Sequence, residues 1–378
     1  MNVLINGRII VENEILDQHA IMFDTKVRAI IPQVQVILEN INVIDAGGLF
    51  ISPGFIDIHQ HGAFGYDHMD ADEDAAIKML QKLPKTGVTT LYPSTMSMGT
   101  ETIRAAIECI GRLMKKNYKG TCILGCHMEG PFFSPEAGGA QPRQYIIPPD
   151  YNLVSGLEDI IKLISIAPEV EGALEFIRRC ISADIRISLG HTFCHYEDAI
   201  VAFTLGATSV THTFCAMHQP QHREPGIIAA ASECPSVYCE LIVDNLHIYP
   251  ASQRLLLKLK GIERIILVSD SMRFAGMGHG ESELAGQRII INEEGAKLEC
   301  GWFAGSVLAL NEAVINFKRN NSLSISDAIK PVTKNPAQLM GIYGQKGIIA
   351  PGADADFVLI NEEISVHRTF IAGETVYE

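Results

Sequence analysis

The feature that most constrains this chain is a rhythm. From Gly54 onward, eight short apolar or β-branched runs recur: FIDIH, TTLYPS, CILGCHMEG, LISIAP, IRISLGHT, TSVTHTF, VYCELIVDN and RIILVSD. Between them lie stretches such as DEDAAIKMLQKL, ETIRAAIECIGRLMKK, LEFIRRCISA and YEDAIVAFTLG, with apolar residues at helical spacing. Several of these stretches close on a Gly, which suits a helix C-terminus. Strands that are apolar along their whole length are buried on both faces. Strand and helix alternating eight times therefore predict an α/β fold, a (β/α)8 barrel of the TIM type.

The two ends of the chain do not join this rhythm. NVLINGRIIVENE and IMFDTKVRAIIPQ read as antiparallel hairpins, and so does the last segment, with turn chemistry at Pro351-Gly352 and Ala372-Gly373. Residues 1–50 and 345–378 are expected to combine into a small β-sandwich domain beside a barrel spanning 51–344. A further hairpin-like insertion near 281–303 follows the eighth run and is expected to cover part of the barrel mouth.

Charge narrows the partners. With 30 Lys and Arg against 44 Asp and Glu, the net charge of −14 opposes nucleic acid and anionic membrane surfaces alike. An anionic small substrate would have to meet a local basic cluster. The N-terminus reaches charge too early for a signal peptide and no apolar run is long enough to cross a bilayer, so the expected location is cytoplasmic. Nine scattered cysteines without a C-x-x-C pair fit reduced thiols, and no chemistry is assigned to them.

Barrel enzymes build their sites at the C-terminal ends of the strands. The first run ends in His59 and His61, which alternation turns to one face together with Asp57. The third run ends in Glu129, the fifth in His191 and the sixth in His212. The seventh ends in Asp244 with His247 close behind, and the eighth in Asp270. Imidazole nitrogen and carboxylate oxygen are the donors for a borderline divalent ion such as zinc, iron or manganese. His59, His61 and Glu129 can serve one ion, while Glu129, His191 and His212 serve a second across a bridging carboxylate. One or two divalent ions per chain are thus expected, with two favoured. The fourth run, LISIAPE, ends without Lys, so no modified-lysine bridge is expected. Asp270 is left as the acid and base of a metal-assisted hydrolysis. His127 shares the face of Glu129 but finds the ligand count full and is read as structural. His218, His279 and His367 are unassigned.

The motifs PGFIDIHQHG, TGVTTLYPS, HMEGPFFSPEAGGAQ, SLGHT, THTFCAM, HREPG, DNLHIYP, LVSDSM, FAGS and KNPAQLMG follow one another in an order that resembles the N-acetylglucosamine-6-phosphate deacetylases of the amidohydrolase superfamily, nearly end to end. The resemblance implies hydrolysis of the acetamide of a phosphorylated amino sugar, in a homodimer. It implies that Glu129, His191 and His212 hold the ion common to the family, that Asp270 is its catalytic acid and base, and that His59 and His61 belong to its two-metal branch. It further implies substrate contacts from Gln141, Cys215, Ala216 and His247, with the phosphate bound by Arg223, assisted by His222, from the partner subunit. Three positions depart from the family's usual pattern. Gln141 stands where many members have a histidine and can orient but not carry a proton. Cys215 stands for the usual Asn, and Asn245 for the usual Gly, which bears on the identity of the sugar more than on the chemistry. The alternatives are another acetamido sugar such as N-acetylgalactosamine-6-phosphate, a cyclic-amide or N-acyl amino acid hydrolase, and a non-catalytic scaffold. The last is opposed by a complete ligand set.

Overall fold

The computed structural model describes residues 1–378 apart from Asn13, Leu38 and Ala285. The eight runs become eight parallel strands: Phe55–Gln60, Val88–Pro93, Cys126–Glu129, Ile161–Ile166, Arg186–Leu189, Ser209–Val210, Tyr238–Leu241 and Ile265–Leu267. From the third to the eighth they pair in sequence order. The first pairs with the second, and a short segment, Cys122–Ile123, pairs with the second on its other side. A bridge between Ser94 and His127 carries the sheet from the second strand to the third. The last strand returns to the first, where Asp270 N donates to His59 O at 2.9 Å. A curled parallel sheet results, and its strands are buried on both faces, as their unbroken apolar runs require.

The surrounding helices bury one stripe each. In Thr100–Leu113 that stripe is Ile103, Ala106, Ile107, Ile110 and Leu113, spaced three and four apart. Helix Glu73–Lys82 starts where Asp72 accepts hydrogen bonds from the Asp74 and Ala75 amides. The rhythm breaks after the third strand. Among the described residues, 130–160 hold only the 3-10 turns Pro135–Ala137, Arg143–Tyr145 and Tyr151–Leu153. Prolines 131, 135, 142, 148 and 149 explain this departure from strict alternation, since each removes a backbone donor and clashes with the preceding turn of a helix. The resulting loop lies over the C-terminal end of the sheet.

Strands from both chain ends form one eight-stranded sheet. The antiparallel pairing of Phe50–Pro53 with Phe357–Ile360 joins the two ends, so this sheet reaches beyond residue 50. Asn2–Val11 is its fork: one edge pairs with Glu14–Phe23, the other first with Asn42–Asp45 and then with Phe50–Pro53. The sheet has its own apolar core of Leu4, Ile9, Ile21, Phe23, Phe357 and Phe370. The insertion after the eighth strand is a three-stranded antiparallel sheet, Gly280–Leu284, Gln287–Asn292 and Gly295–Leu298, where a hairpin was expected. Gln287 Nε2 donates to Ala140 O at 3.3 Å, tying this insertion to the proline-rich loop. No described helix is long and apolar enough to cross a membrane.

Candidate active site

The C-terminal end of the curled sheet brings His59, His61, Glu129, His191, His212 and Asp270 together, all at 7% exposure or less. Glu129 is the centre. Its Oε1 lies 3.3 Å from His59 Nε2, 3.3 Å from His191 Nε2 and 3.2 Å from His212 Nε2, while Oε2 lies 3.3 Å from His61 Nε2. Asp270 Oδ1 approaches His59 Nε2 at 3.5 Å and His61 Nε2 at 3.3 Å. Two triads of donors result, His59-His61-Glu129 and Glu129-His191-His212, with the donor atoms of each within 4.8 Å of one another.

These residues fit metal ions on three observations. The first is the tautomers. His191 Nδ1 lies 3.0 Å from the Ala137 carbonyl and His59 Nδ1 3.1 Å from Glu240 Oε2. Both partners are acceptors only, so Nδ1 carries the proton in each ring and Nε2 presents a lone pair. The second is that these lone pairs face other donors: His191 Nε2 is 3.1 Å from His212 Nε2, and His59 Nε2 is 3.3 Å from His61 Nε2. Such convergence is repulsive unless a proton on the facing nitrogen or a metal cation lies between. The third is charge. Glu129, Glu240 and Asp270 gather here, and no Lys or Arg is among the described residues lining the cavity. Burial works against an imidazolium at His61, yet Asp270 and Glu129 raise its pKa to about 9. Burial likewise works against the Glu129 carboxylate, yet His59, His191 and His212 hold it well below the usual range. The pocket stabilises positive charge at its focus, and a divalent cation supplies that charge.

The strand ends explain how the side chains arrive. His59 and His61 are carried inward by strand alternation. His191, His212 and Asp270 instead leave their strands with φ of 47°, 28° and 44°, a left-handed backbone that costs roughly 1 to 3 kcal/mol each and turns the side chain over the sheet. Gly190 permits the turn at His191, because a Cβ there would fall 2.6 Å from Thr211 Cβ on the neighbouring strand.

Beyond the donors, a cavity of about 230 Å³ opens between the proline-rich loop, the loop after the sixth strand and the insertion. Gln141 lines it, but its amide is engaged from both ends, Nε2 donating to Glu129 Oε2 at 2.7 Å and Oε1 accepting from Ser97 N at 2.7 Å. Cys215 and Ala216 line it too, and burial raises the Cys215 thiol pKa, so the thiol is protonated. His247 lines it with Nδ1 held 2.6 Å from Asp244 Oδ2 and its ring tilted over Phe303. His222 and Arg223 are not brought to this cavity by their own chain; both are exposed on the loop that follows the sixth strand. His127 is a hydrogen-bonded strut between Ser94 Oγ at 2.9 Å and Ser165 Oγ at 2.8 Å, and burial holds it neutral.

Sequence reasoning missed Glu240, fully buried in the seventh strand, and the aromatic wall of Phe214, Trp302 and Phe303. The signal for Glu240 was a single carboxylate inside the apolar run VYCELIV, which demands a partner. Asp57 is also fully buried and accepts from the His59 amide at 3.3 Å; burial raises its pKa to about 6.

A curled parallel sheet with imidazole and carboxylate donors gathered at its C-terminal end, and an aspartate beside them, is the build of a metal-binding hydrolase. The chain belongs to the amidohydrolase family, whose sequence pattern matches residues 50–376. It is 33% identical over 332 residues to N-acetylglucosamine-6-phosphate deacetylase of Bacillus subtilis, covering 86% of this chain and 84% of that one. It is 30% identical to N-acetylgalactosamine-6-phosphate deacetylase of Escherichia coli O157:H7, covering 99% and 98%. Among solved structures, N-acetylglucosamine-6-phosphate deacetylase of Thermotoga maritima superposes with a TM-score of 0.90 at 29% identity, covering 100% of this chain and 99% of that one. A variant of the Mycobacterium smegmatis enzyme in complex with N-acetyl-D-glucosamine-6-phosphate superposes at 0.92 and 27% identity, covering 100% and 99%.

Proposed function

We propose that this protein hydrolyses the acetamide of N-acetylglucosamine-6-phosphate, giving glucosamine-6-phosphate and acetate. The observation that carries the reading is the double donor set around Glu129 with Asp270 beside it, in a chain similar to deacetylases over most of its length. The reading includes a (β/α)8 barrel with a small β-sandwich domain from both termini, and two divalent ions, zinc, iron or manganese, held by His59, His61, Glu129, His191 and His212. Such ions supply Lewis acidity toward a carbonyl and toward water.

The chain's own residues do the rest. Asp270 is placed to take a proton from the attacking water. The water oxygen bonds to the acetyl carbon, the C–N bond breaks, and Asp270 returns the proton to the departing nitrogen, which leaves as the amine. Asp244 keeps the proton of His247 on Nδ1, so Nε2 can accept a hydrogen bond from a sugar hydroxyl. Gln141 steadies Glu129. The phosphate needs a cation, and no Lys or Arg is among the described residues of the cavity lining, which supports a homodimer in which Arg223 and His222 reach the site of the partner subunit.

The test compares kcat/KM for N-acetylglucosamine-6-phosphate, N-acetylgalactosamine-6-phosphate and unphosphorylated N-acetylglucosamine. The first should be fastest. Cys215 in the lining and the near-complete coverage of the galactosamine-type relative favour the epimer as second reading. A faster second substrate would establish that epimer, and equal rates on the third would remove the phosphate from the account.

A further inference from the structure

We propose that Glu240 is the positioning residue that makes the His59–His61 side of the centre able to hold an ion of its own. The proposal rests on the two-ion reading above. Glu240 has no solvent exposure. Its Oε2 lies 3.1 Å from His59 Nδ1 and accepts from the His212 amide at 3.3 Å, while Oε1 has no hydrogen-bond partner. A carboxylate accepts only, so His59 must donate from Nδ1 and turn the Nε2 lone pair toward Glu129 and His61. With the acceptor removed, the ring is free to take the other tautomer, whose Nε2–H points into the centre and cannot bind a cation. The charge of Glu240 also makes the His59 ring a better donor.

The two sides of the centre depend on Glu240 unequally. His61 Nδ1 has no partner, and neither has His212 Nδ1 on the other side, so in each pair one ring is fixed from behind and the two fixed rings, His59 and His191, carry the contrast. Glu240 is therefore the one hydrogen-bonding support behind the His59–His61 pair among the described residues. On the other side, His191 is fixed by the Ala137 carbonyl and stacks on Phe133 with ring centroids 4.3 Å apart, neither of which involves Glu240. His212 meets the Glu240 side chain only through its backbone amide, and Thr213 N donates at 2.9 Å to the Glu240 main-chain carbonyl, which any residue at 240 would keep. Loss of the side chain should thus weaken one ion and spare the other.

The experiment is a titration of chelator-stripped full-length protein with Zn²⁺ against a chromophoric chelator, resolving the affinity of each ion. The proteins compared are wild type, Glu240→Leu and Glu240→Gln. In Glu240→Leu the tighter ion should bind as in wild type and the second should bind about ten- to a hundredfold more weakly, the usual span for losing an outer partner of a ligand. Glu240→Gln, whose amide oxygen still accepts from Nδ1, should fall between. Two ions bound at wild-type affinity by Glu240→Leu would overturn the proposal, and so would equal weakening of both, which would mark a residue that supports the fold. Should Glu240→Leu fail to fold, Glu240→Gln decides by the same criterion, a weakened second ion beside an unchanged first. A wild type that takes only one ion would overturn the two-ion reading itself, a result distinct from two ions that ignore Glu240.

Discussion

The two halves of the centre share Glu129 but are built by different means. His59 lies on the first strand and His61 one residue past its end, and alternation turns both to one face. His191 and His212 come from two neighbouring strands and reach the site only because each strand ends in a left-handed turn. The first half is local: its residues arrive together, but the His61 ring has no hydrogen-bond partner behind it and the His59 ring relies on a carboxylate from the seventh strand, distant in sequence. The second is distributed: a carbonyl from the proline-rich loop holds His191, while the His212 ring, like that of His61, has no partner on Nδ1. A paired motif at one strand end fixes direction, then, but leaves tautomer and rotation to be set from elsewhere.

Substitutions can break this comparison at successive depths. Glu129→Ala removes what both halves share, and should lose both ions and nearly all activity, read by elemental analysis and turnover; retention of either ion would separate the halves entirely. Asp270→Asn should leave both halves loaded and lower kcat by ~10² to 10⁴, the span of a general acid and base. If metal content fell in step with activity, Asp270 would belong to the ligand set instead. Arg223→Ala touches neither half. It should raise KM for the phosphorylated sugar about tenfold to a hundredfold, from loss of a charge-assisted contact worth roughly 1.5 to 3 kcal/mol, with little change on the unphosphorylated analogue. Equal loss on both would assign the arginine to the fold or the dimer. The smallest effect is expected from Gly190→Ala, which presses a methyl toward Thr211 beneath His191. It should destabilise the protein by about 1 to 3 kcal/mol in thermal or urea unfolding and weaken only the ion of the distributed half.

Which parts of this were legible in the sequence follows the same division. The H-x-H pair, Glu129, His191, His212 and Asp270 could be picked out because each ends an apolar run, and strand ends of one face converge. The left-handed turns could not be read, since histidine carries no mark of that backbone. Glu240 was hidden because a residue inside an apolar run reads as core, and its partner His59 lies 181 residues away. The proline-rich loop was misjudged as part of an even alternation, although its five prolines forbid a helix. The terminal strands were recognised as β but not as a single forked sheet, because parallel pairing of Asn2–Val11 with Asn42–Asp45 leaves no hairpin signal. The insertion's third strand, Gly295–Leu298, was likewise lost in a short polar stretch.

Elemental analysis of the untreated wild type, beside a His59→Ala, His61→Ala double variant, tests the shared-carboxylate centre most directly. The account predicts two divalent ions per chain in the wild type and one in the double variant, held by Glu129, His191 and His212. One ion per wild-type chain with both histidines intact would contradict it.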